Sequence, residues 1–346
     1  MTIAITGASG RLGRLVAELL LADPPGSPGS VGSRGSVGAL GESRVPGAPG
    51  APRASSAPRA ADTPGAIEAL DAARGAGAPG SGGALAEDVV LVTRRPAALA
   101  DLAARGAIVR AGDFDDPAGL VAAFAGVDRL LLVSTDALDR RVVQHRQALE
   151  AAVRAGVDHV VYTSLSNPAP GNPVGEVTDA HRSTEEALVP LAPRWTILRN
   201  ATYADALVPL WLAAAARGRL VTNQGDGRTA WVARDDCAAV AAAILADASG
   251  RHVGQTLDVT GPSLMGAADL GAALASGAGR HVVIEQVDDD AMAAHLVADG
   301  LPADRARLVA AWHRAIREGW FTQRTDVVEE LTGRPARPVA TLLTTG

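Results

Sequence analysis

Lysine is absent from the sequence, and all 32 basic residues are arginines. This absence excludes Schiff-base catalysis by lysine, a P-loop phosphate site and a catalytic Tyr-x-x-x-Lys pair, because each depends on an ammonium group. Cysteine is nearly absent as well, and the single thiol of Cys237 allows neither an internal disulfide nor a cysteine-based zinc site. The seven histidines are scattered without metal-ligand spacing, so we expect no bound metal.

A basic surplus and long hydrophobic runs are also lacking. The 38 acidic residues outnumber the 32 basic ones, and the net charge of −6 gives no overall attraction for nucleic acid or anionic lipid. The longest apolar runs, as at Leu207–Ala216, are well short of the ~20 residues that a membrane span needs. The first residues show no basic region followed by a long apolar one, so we expect no secretory signal. We therefore expect a cytoplasmic protein with a small-molecule partner, without nucleic acid or membrane, and with a homodimer as an option.

The segment Pro24–Ala86 differs from the rest of the chain, because Gly, Pro, Ala and Ser dominate it. Such a composition buries too little apolar surface to offset chain entropy, so the segment is predicted to be disordered. A tolerated surface insertion is the favoured interpretation, since long surface insertions cost little free energy. The alternative is a flexible docking arm.

Outside that segment, short apolar runs alternate with amphipathic stretches. Strands are predicted at Ile3–Thr6, Val89–Thr93, Ile108–Arg110, Arg129–Ser134, His159–Ser164, Thr196–Arg199 and Thr256–Val259. Helices are predicted at Leu12–Leu21, Ala97–Arg105, Pro117–Phe124, Asp139–Ala155, Thr184–Leu188, Tyr203–Arg217, Arg234–Ala246, Leu264–Ala275, Asp289–Ala298 and Arg305–Arg317. Apolar strands separated by helices are typical of a parallel sheet covered on both faces. The pattern predicts an α/β fold, a Rossmann-like doubly wound parallel sheet with a smaller helix-rich C-terminal substrate region.

The motif T-G-A-S-G-R-L-G follows the first strand and opens the first helix. Glycines in this position allow a tight turn, close approach of a pyrophosphate and close packing of helix on strand. Amides at the start of the helix then face the anion. The motif predicts a dinucleotide site formed by Thr6, Gly7, Ser9, Gly10, Arg11, Leu12 and Gly13, and the alternative is a plain glycine-rich turn.

The end of the second strand indicates which dinucleotide is bound. Arg94 and Arg95 stand where an acidic residue would bind the ribose hydroxyls of NAD. Arginine offers forked donors to a 2′-phosphate, and Arg11 could reach the same group, so NADP(H) is preferred over NAD(H). The alternative is a solvated basic pair.

Two further strand ends border the same crevice. After the third strand, Asp113 could accept a hydrogen bond from the adenine amine, and Phe114 could cover the adenine face. The alternative for Asp113 is an acid at a helix start, and the neighbouring Asp115 and Asp116 are interpreted as capping residues. After the fourth strand, the predicted cofactor contacts are Val133, Ser134 and Thr135.

Several stretches match a known family: I-A-I-T-G-A-S-G-R-L-G at the start, R-R-P-A at Arg94–Ala97, A-G-D-F at Ala111–Phe114, Q-H-R at Gln144–Arg146, Y-T-S-L at Tyr162–Leu165, A-H-R-S-T-E at Ala180–Glu185 and G-D-G-R-T-A at Gly225–Ala230. On these residues the sequence resembles the NmrA-like atypical short-chain dehydrogenases/reductases, and within them the bacterial type 2 NAD(P)H:quinone oxidoreductases. The resemblance implies NADPH binding and hydride transfer to quinones or similar acceptors. The alternation of strands and helices loosens after Arg199, which predicts an NAD(P)-binding domain, residues 1–199, and a smaller substrate-binding region, residues 200–346. About residues 230–261 are expected to return to the sheet.

The residues predicted for the chemistry lie beyond the fourth strand. Two tyrosines without a lysine disfavour alcohol dehydrogenation, which needs a strong base, whereas a quinone is already electrophilic. His181 could supply a proton or steer a carbonyl oxygen, or it is an exposed histidine at a helix start. Thr163 and Ser164 are expected beside the nicotinamide, or they form strand-end hydrogen bonds to the backbone. Acceptor contacts are predicted for Asn167, Asn200 and Tyr203, and Tyr162 is expected in the core.

The favoured function is an NADPH-dependent oxidoreductase that transfers hydride to a quinone or related electrophile. The alternative is a non-catalytic NADP(H)-binding redox sensor, because NmrA-like proteins include such regulators. The Y-T-S-L stretch and His181 favour the enzyme, and the missing Tyr–Lys pair and the insertion favour the sensor. An isomerase or lyase that uses the nucleotide only as a scaffold is a third option.

Overall fold

A parallel sheet of seven strands organises the chain in the computed structural model, which describes residues 1–22 and 88–344. The sheet order is β3-β2-β1-β4-β5-β6-β8. The strands are β1 Ile3–Thr6, β2 Val89–Thr93, β3 Ile108–Ala111, β4 Arg129–Leu132, β5 His159–Leu165, β6 Arg194–Asn200 and β8 Gln255–Val259. The strand order reverses between β1 and β4, and ligands of doubly wound sheets bind in the crevice at that point. The insertion predicted at Pro24–Ala86 lies outside the described residues.

Helices cover both faces of the sheet, as predicted for a doubly wound fold. They are α1 Arg11–Leu20, α2 Ala100–Ala104 after a 3₁₀ turn at Pro96–Leu99, α3 Pro117–Ala123, α4 Arg141–Ala155, α5 Glu176–Leu191, α6 Ala204–Arg217, α7 Arg234–Ala246, α8 Ala267–Ala278, α9 Asp289–Ala298, α10 Ala303–Arg317, α11 Val327–Thr332 and α12 Val339–Leu343. In the part of the chain that the structure describes, no helix is long and apolar enough to cross a membrane.

The central strands β1, β2, β4 and β5 are mostly apolar because both of their faces are buried. On β1, Ile3 and Ile5 pack into one core with α1 and α7, whereas Ala4 between them belongs to the opposite core with α3 and α4. Successive side chains of a strand point to opposite faces, so both faces need apolar residues. This explains why runs without polar alternation predicted the central strands.

The helix α5 is much longer than predicted, since it runs from Glu176 to Leu191 rather than over Thr184–Leu188. Its buried face carries the polar residues Thr178, His181, Thr184 and Glu185. A search for apolar periodicity passes over such a helix. These buried polar groups are also the part of α5 that faces the candidate site.

A second sheet was missed by the prediction. It pairs β7, Arg219–Thr222, with β9, Val283–Gln286, in parallel. Both strands have only four residues, and Val283 is 52% exposed, so neither shows the apolar signature of a buried strand. This part of the chain has a core of its own that includes Trp211, Trp231 and Phe321.

Candidate functional site

The glycine loop after β1 has the conformation that its sequence predicts. Gly7 has a φ of +60°, in the left-handed region, and the amide of Gly10 donates to its carbonyl oxygen at 2.8 Å. A Cβ at Gly13 would lie 2.6 Å from that oxygen, so α1 packs directly against the turn. Gly7, Gly10 and Arg11 are exposed, whereas the side chain of Leu12 lies in the core. The loop therefore presents backbone without Cβ atoms beside a helix N-terminus, which suits a pyrophosphate.

Hydrogen bonds join this loop to the end of β2. Ser9 Oγ lies 2.9 Å from Thr93 Oγ1, which also accepts from the amide of Arg95 at 3.1 Å. Arg94 and Arg95 are exposed, and Arg94 lines a hollow of about 580 Å³ together with Asp113. The two arginines thus stand at the same edge of the sheet as the glycine loop, as the adenosine end of a dinucleotide requires.

The acidic segment after β3 is held by hydrogen bonds from its backbone amides to its own carboxylates. Asp113 Oδ1 accepts from the amide of Asp115 at 3.1 Å, and Asp116 caps α3 by accepting from Gly119 at 3.0 Å. Capping was correctly predicted for Asp116 but wrong for Asp115, whose carboxylate pairs with Arg140 at 2.8 Å. Position explains the difference, because Asp116 directly precedes the first residue of α3 and fills its cap position.

Phe114 packs against the core on the α4 side rather than standing free in the crevice. Its ring is partly buried and meets the ring of His145 edge-on, with centroids 6.2 Å apart. This packing does not favour the adenine-covering role predicted for Phe114.

Side chains from three elements hold the backbone that follows β4. Thr6 Oγ1 accepts from the amide of Val133 at 3.0 Å, and Thr163 Oγ1 accepts from the amide of Ser134 at 3.0 Å. The amide of Thr135 donates to Nε2 of His145 at 3.1 Å. The wall of the crevice at residues 133–135 is therefore held in place by its neighbours. Thr6 and Thr163, both predicted to contact ligands, are buried and serve this scaffold.

Ser164 belongs to a buried ionic network. Its hydroxyl donates to Glu185 Oε1 at 2.6 Å, and Arg199 holds the same carboxylate through Nε at 3.0 Å and Nη2 at 2.6 Å. A buried carboxylate requires such partners to offset its lost hydration. Because its proton is committed to Glu185, Ser164 is placed as a link between β5, α5 and β6, which does not favour its predicted catalytic role.

His181 is buried, so the interpretation as an exposed histidine at a helix start is wrong. It is 6% exposed, and its Nδ1 lies 2.8 Å from the hydroxyl of Tyr162, which is fully buried as expected. Burial, reinforced by the positive charge of Arg141, holds the pKa of His181 well below its usual value. The imidazole is therefore neutral at pH 7, which favours steering of an acceptor atom over donation of a proton from an imidazolium.

Two neighbours of His181 were not predicted as site residues. Arg141 is 6% exposed, donates from Nε to the carbonyl of Thr135 at 2.8 Å, and has its pKa lowered by burial. His145 is fully buried, and burial lowers its pKa to about 3. The available signal was position, because Arg141 and His145 fall on the face of α4 that includes Ala148 and Ala152, at steps of three or four residues.

The residues predicted to contact the acceptor lie at or after the carboxyl ends of β5 and β6. Asn200 is 2% exposed and donates to the hydroxyl of Tyr203 at 2.9 Å, and among the described residues its Oδ1 has no hydrogen-bond partner. The guanidinium of Arg234 lies 5.0 Å from the centre of the Tyr203 ring. Asn167 has a positive φ of 45° and donates to the carbonyl of Trp320 at 2.8 Å, so it joins the loop after β5 to the C-terminal region.

The sequence is similar to those of known reductases. Residues 83–248 match a protein family described as NAD(P)H-binding. Quinone oxidoreductase 2 of Escherichia coli strain K12 is 33% identical over 255 residues, which are 74% of this chain and 88% of that protein. An NAD(P)H azoreductase of Xenophilus azovorans is 30% identical over 250 residues, 72% of this chain and 86% of that protein. An NmrA-like oxidoreductase of Aspergillus flavus is 28% identical over 68% of this chain and 78% of its own length.

The chain belongs to this NmrA-like, NAD(P)H-binding family of oxidoreductases. Solved structures agree: an NADPH-dependent quinone oxidoreductase of Escherichia coli, complexed with NADPH, has a TM-score of 0.77 at 28% identity and covers 99% of each chain. A triphenylmethane reductase of Citrobacter sp. has a TM-score of 0.75 at 26% identity and covers 99% of this chain and 98% of that one. This NmrA-like chain is an NAD(P)H-dependent oxidoreductase related to quinone and dye reductases, which confirms the fold and the family predicted from its motifs.

The residues of this family member fit a dinucleotide. The exposed turn at Gly7 and Gly10 leaves room for a pyrophosphate where any Cβ would intrude, and the crevice wall at residues 133–135 is held rigid beside it. The exposed arginines at the end of β2 stand on the same side. The glycine loop is thus suited to hold the phosphates, and the ends of β4 and β5 lie next along the sheet.

Proposed function

We propose that this protein transfers hydride from NADPH to a quinone or a related electrophilic acceptor. The observation that carries the proposal is the burial of His181 and Tyr162, which bond to each other at 2.8 Å. Burial lowers the pKa of His181 and raises the pKa of the phenols of Tyr162 and Tyr203, so these groups are neutral donors and weak bases. Oxidation of an alcohol needs an effective base to take up the hydroxyl proton, whereas reduction of an electrophile needs none.

The reaction balances without a protein acid. Conversion of a quinone to a hydroquinone takes up one hydride and one proton, and the nicotinamide supplies the hydride when it is bound, while solvent supplies the proton. The chain's own residues bind, orient and shield the reactants. The glycine loop holds the pyrophosphate, residues 133–135 border the nicotinamide, and His181 steers the acceptor atom that becomes negatively charged.

The names of the relatives support this acceptor class. They include a quinone oxidoreductase, an azoreductase and a triphenylmethane reductase, and each of these substrates is a conjugated electrophile that accepts two electrons. Asn200, whose Oδ1 lacks a partner among the described residues, and Tyr203 beside it are proposed to contact the acceptor.

We further propose that NADPH is preferred over NADH, because Arg94, Arg95 and Arg11 are exposed at the adenosine end of the site. Loss of a charge-assisted hydrogen bond to the 2′-phosphate costs about 1.5–3 kcal/mol, a factor of about ten or more in Kd. Replacement of Arg94 and Arg95 by alanine should therefore weaken NADPH binding by at least that factor and leave NADH binding nearly unchanged.

The test is NADPH oxidation at 340 nm with a panel of quinones, azo dyes and triphenylmethane dyes. We expect turnover with NADPH, and a lower kcat for His181→Ala than for the matched control His281→Ala, whose imidazole is exposed. Tight NADPH binding without turnover on any acceptor would contradict the enzyme and favour the redox sensor. Equal kcat values for the two histidine variants would contradict the role of His181.

A further inference from the structure

Two buried histidines flank Tyr162 and use different ring nitrogens. The ring centroid of Tyr162 lies 5.5 Å from that of His145 and 6.0 Å from that of His181. His145 contacts a backbone amide through Nε2, whereas His181 contacts the phenol through Nδ1. Since a neutral imidazole carries one proton, the partner of one nitrogen decides which nitrogen donates.

The tautomer of His145 follows from its partners. The amide of Thr135 is a donor, so Nε2 must accept, and the proton lies on Nδ1. Nδ1 is 2.9 Å from Thr184 Oγ1, which donates its own proton to the carbonyl of Ala180 at 2.9 Å. The hydroxyl of Thr184 therefore accepts from His145. The three hydrogen bonds then run in one direction, from the Thr135 amide to His145, from His145 to Thr184 and from Thr184 to the Ala180 carbonyl.

The tautomer of His181 is the opposite one. The phenol of Tyr162 is fully buried, and its proton needs an acceptor. Among the described residues, the hydrogen bond of this hydroxyl is to Nδ1 of His181 at 2.8 Å, so that nitrogen accepts the phenol proton. A phenol is also a stronger acid than a neutral imidazole N–H, so donation from oxygen to nitrogen is the favoured direction.

We propose that Tyr162 is a positioning residue that holds His181 in the Nε2–H tautomer, so that His181 presents an uncharged N–H donor to the acceptor atom that gains negative charge on hydride addition. This inference rests on the proposed function. The donor is in place before the reaction, and a hydrogen bond that strengthens as charge develops lowers the barrier without a proton leaving the histidine. The proton that completes the reduced product comes from water.

Among the described residues, the charged and titratable groups that face His181 either disfavour its protonation or have no effect on it. From β5 it faces the protonated phenol of Tyr162, and from α4 it faces the guanidinium of Arg141 and the neutral ring of His145. A positive charge at Arg141 opposes a second one on His181. We therefore expect no titration of His181 in the pH profile of kcat around neutral pH, since burial and Arg141 hold its pKa well below the ordinary value.

Proton-detected long-range ¹H–¹⁵N correlation spectra of the ¹⁵N-histidine-labelled full chain test the tautomer directly. We expect His181 to show a protonated Nε2 and a bare Nδ1, with its signals assigned by their loss in His181→Gln. His145 serves as an internal control, because the same spectrum should show it protonated at Nδ1. A protonated Nδ1 on His181 would overturn the proposal.

Tyr162→Phe tests the positioning by removing the hydroxyl alone. We expect a mixture of His181 tautomers, an unchanged His145 signal, a kcat lower by about tenfold and an unchanged KM for NADPH. The matched control is Thr196→Val on β6. It removes a hydroxyl 2.9 Å from another buried histidine, His159, which lies at the amino end of β5, the strand that carries Tyr162. It should leave kcat and the His181 signals unchanged.

The spectra separate this inference from the proposed function. If no acceptor is reduced, the proposed function fails, while the wild-type spectrum still decides the tautomer of His181. If turnover is found but Tyr162→Phe keeps both the Nε2–H signature and the wild-type kcat, the positioning role of Tyr162 is overturned and the function stands.

Discussion

Buried side chains at the carboxyl end of the sheet have two kinds of partner. Thr163 and Ser164 bond to the backbone that follows β4 and to a carboxylate on α5, so their hydroxyls hold the scaffold. His181 bonds to the phenol of Tyr162 through Nδ1 alone among the described residues, so its Nε2 remains available to a ligand. Residue type alone does not separate these cases, because serine, threonine and histidine serve either purpose.

Buried neutral histidines make stability depend on pH. Burial lowers the pKa of His145 to about 3, so the folded state binds its proton far less readily than the unfolded chain does. The stability is fully present above the unfolded pKa of about 6.5, and it is lost as the pH falls through that value toward 3. Between pH 7 and 5, His145 alone should cost about 2 kcal/mol of unfolding free energy.

Urea unfolding at pH 7, 6 and 5 measures this effect. His281→Gln, which replaces an exposed histidine, should show the same loss as the wild type. An unfolding free energy that stays constant over this range would show that His145 is not neutral and buried in solution.

Among the secondary-structure elements, the helices α1 and α5 contribute to the site in different ways. α1 approaches the glycine loop so closely that its third residue has no space for a side chain. α5 instead turns its polar face to the sheet and supplies His181, Thr184 and Glu185. A close backbone contact favours anion binding, and a buried polar face supplies directed donors.

Gly13→Ala should destabilise the protein although alanine is the better helix former. The new Cβ would meet Gly7 O at 2.6 Å and Ala8 Cα at 3.0 Å, and overpacking of backbone costs about 1–3 kcal/mol. The displaced turn should also weaken NADPH binding by at least about tenfold. Urea unfolding and a fluorescence titration with NADPH measure the two effects.

Gly277→Ala is the matched control, because it places the same methyl group on a helical glycine with nothing within 4 Å. It should not weaken stability or binding. A Gly13→Ala variant that matched it in both would refute the close packing of α1 on the loop.

At the scale of the whole molecule, the C-terminal segment connects two cores. Val328 and Ala336 pack into the core beneath α1 and α7, and Val339 and Leu342 pack into the core of the C-terminal region. Asp236, fully buried at the start of α7, accepts from Arg334 Nη1 at 2.6 Å and from the amide of Arg337 at 2.7 Å. One carboxylate therefore anchors the segment between the two cores.

Asp236→Asn should release this segment. Loss of the buried carboxylate leaves the partly exposed Arg334 without its partner, and a hydrogen bond to a charged group contributes about 1.5–3 kcal/mol. We expect a lower Tm and faster cleavage by proteinase K within residues 333–338. Asp235→Asn removes a more exposed carboxylate that also pairs with Arg337, and surface pairs contribute only about 0–1 kcal/mol. Equal cleavage rates for the two variants would contradict the anchoring role of Asp236.

Local patterns predicted the fold well and the site only in part. The first two strands, α7 and α9 have the predicted bounds, and the glycine loop has the predicted turn. The errors arose where a pattern was weak or a residue type ambiguous. The buried face of α5 is polar, so apolar periodicity did not show its length, and β7 and β9, with four residues each, are too short to show alternation.

The amino-acid sequence by itself determined the doubly wound sheet and the dinucleotide loop, because apolar periodicity and glycine spacing act over a few neighbouring residues. Only the tertiary structure decided which polar side chains are scaffold and which are free for chemistry. Those roles depend on partners far apart in the chain, such as Thr135 with His145, Ser164 with Glu185 and Tyr162 with His181. The fold brings these pairs out of water, and the lost hydration makes each buried donor and acceptor depend on the partner it meets there.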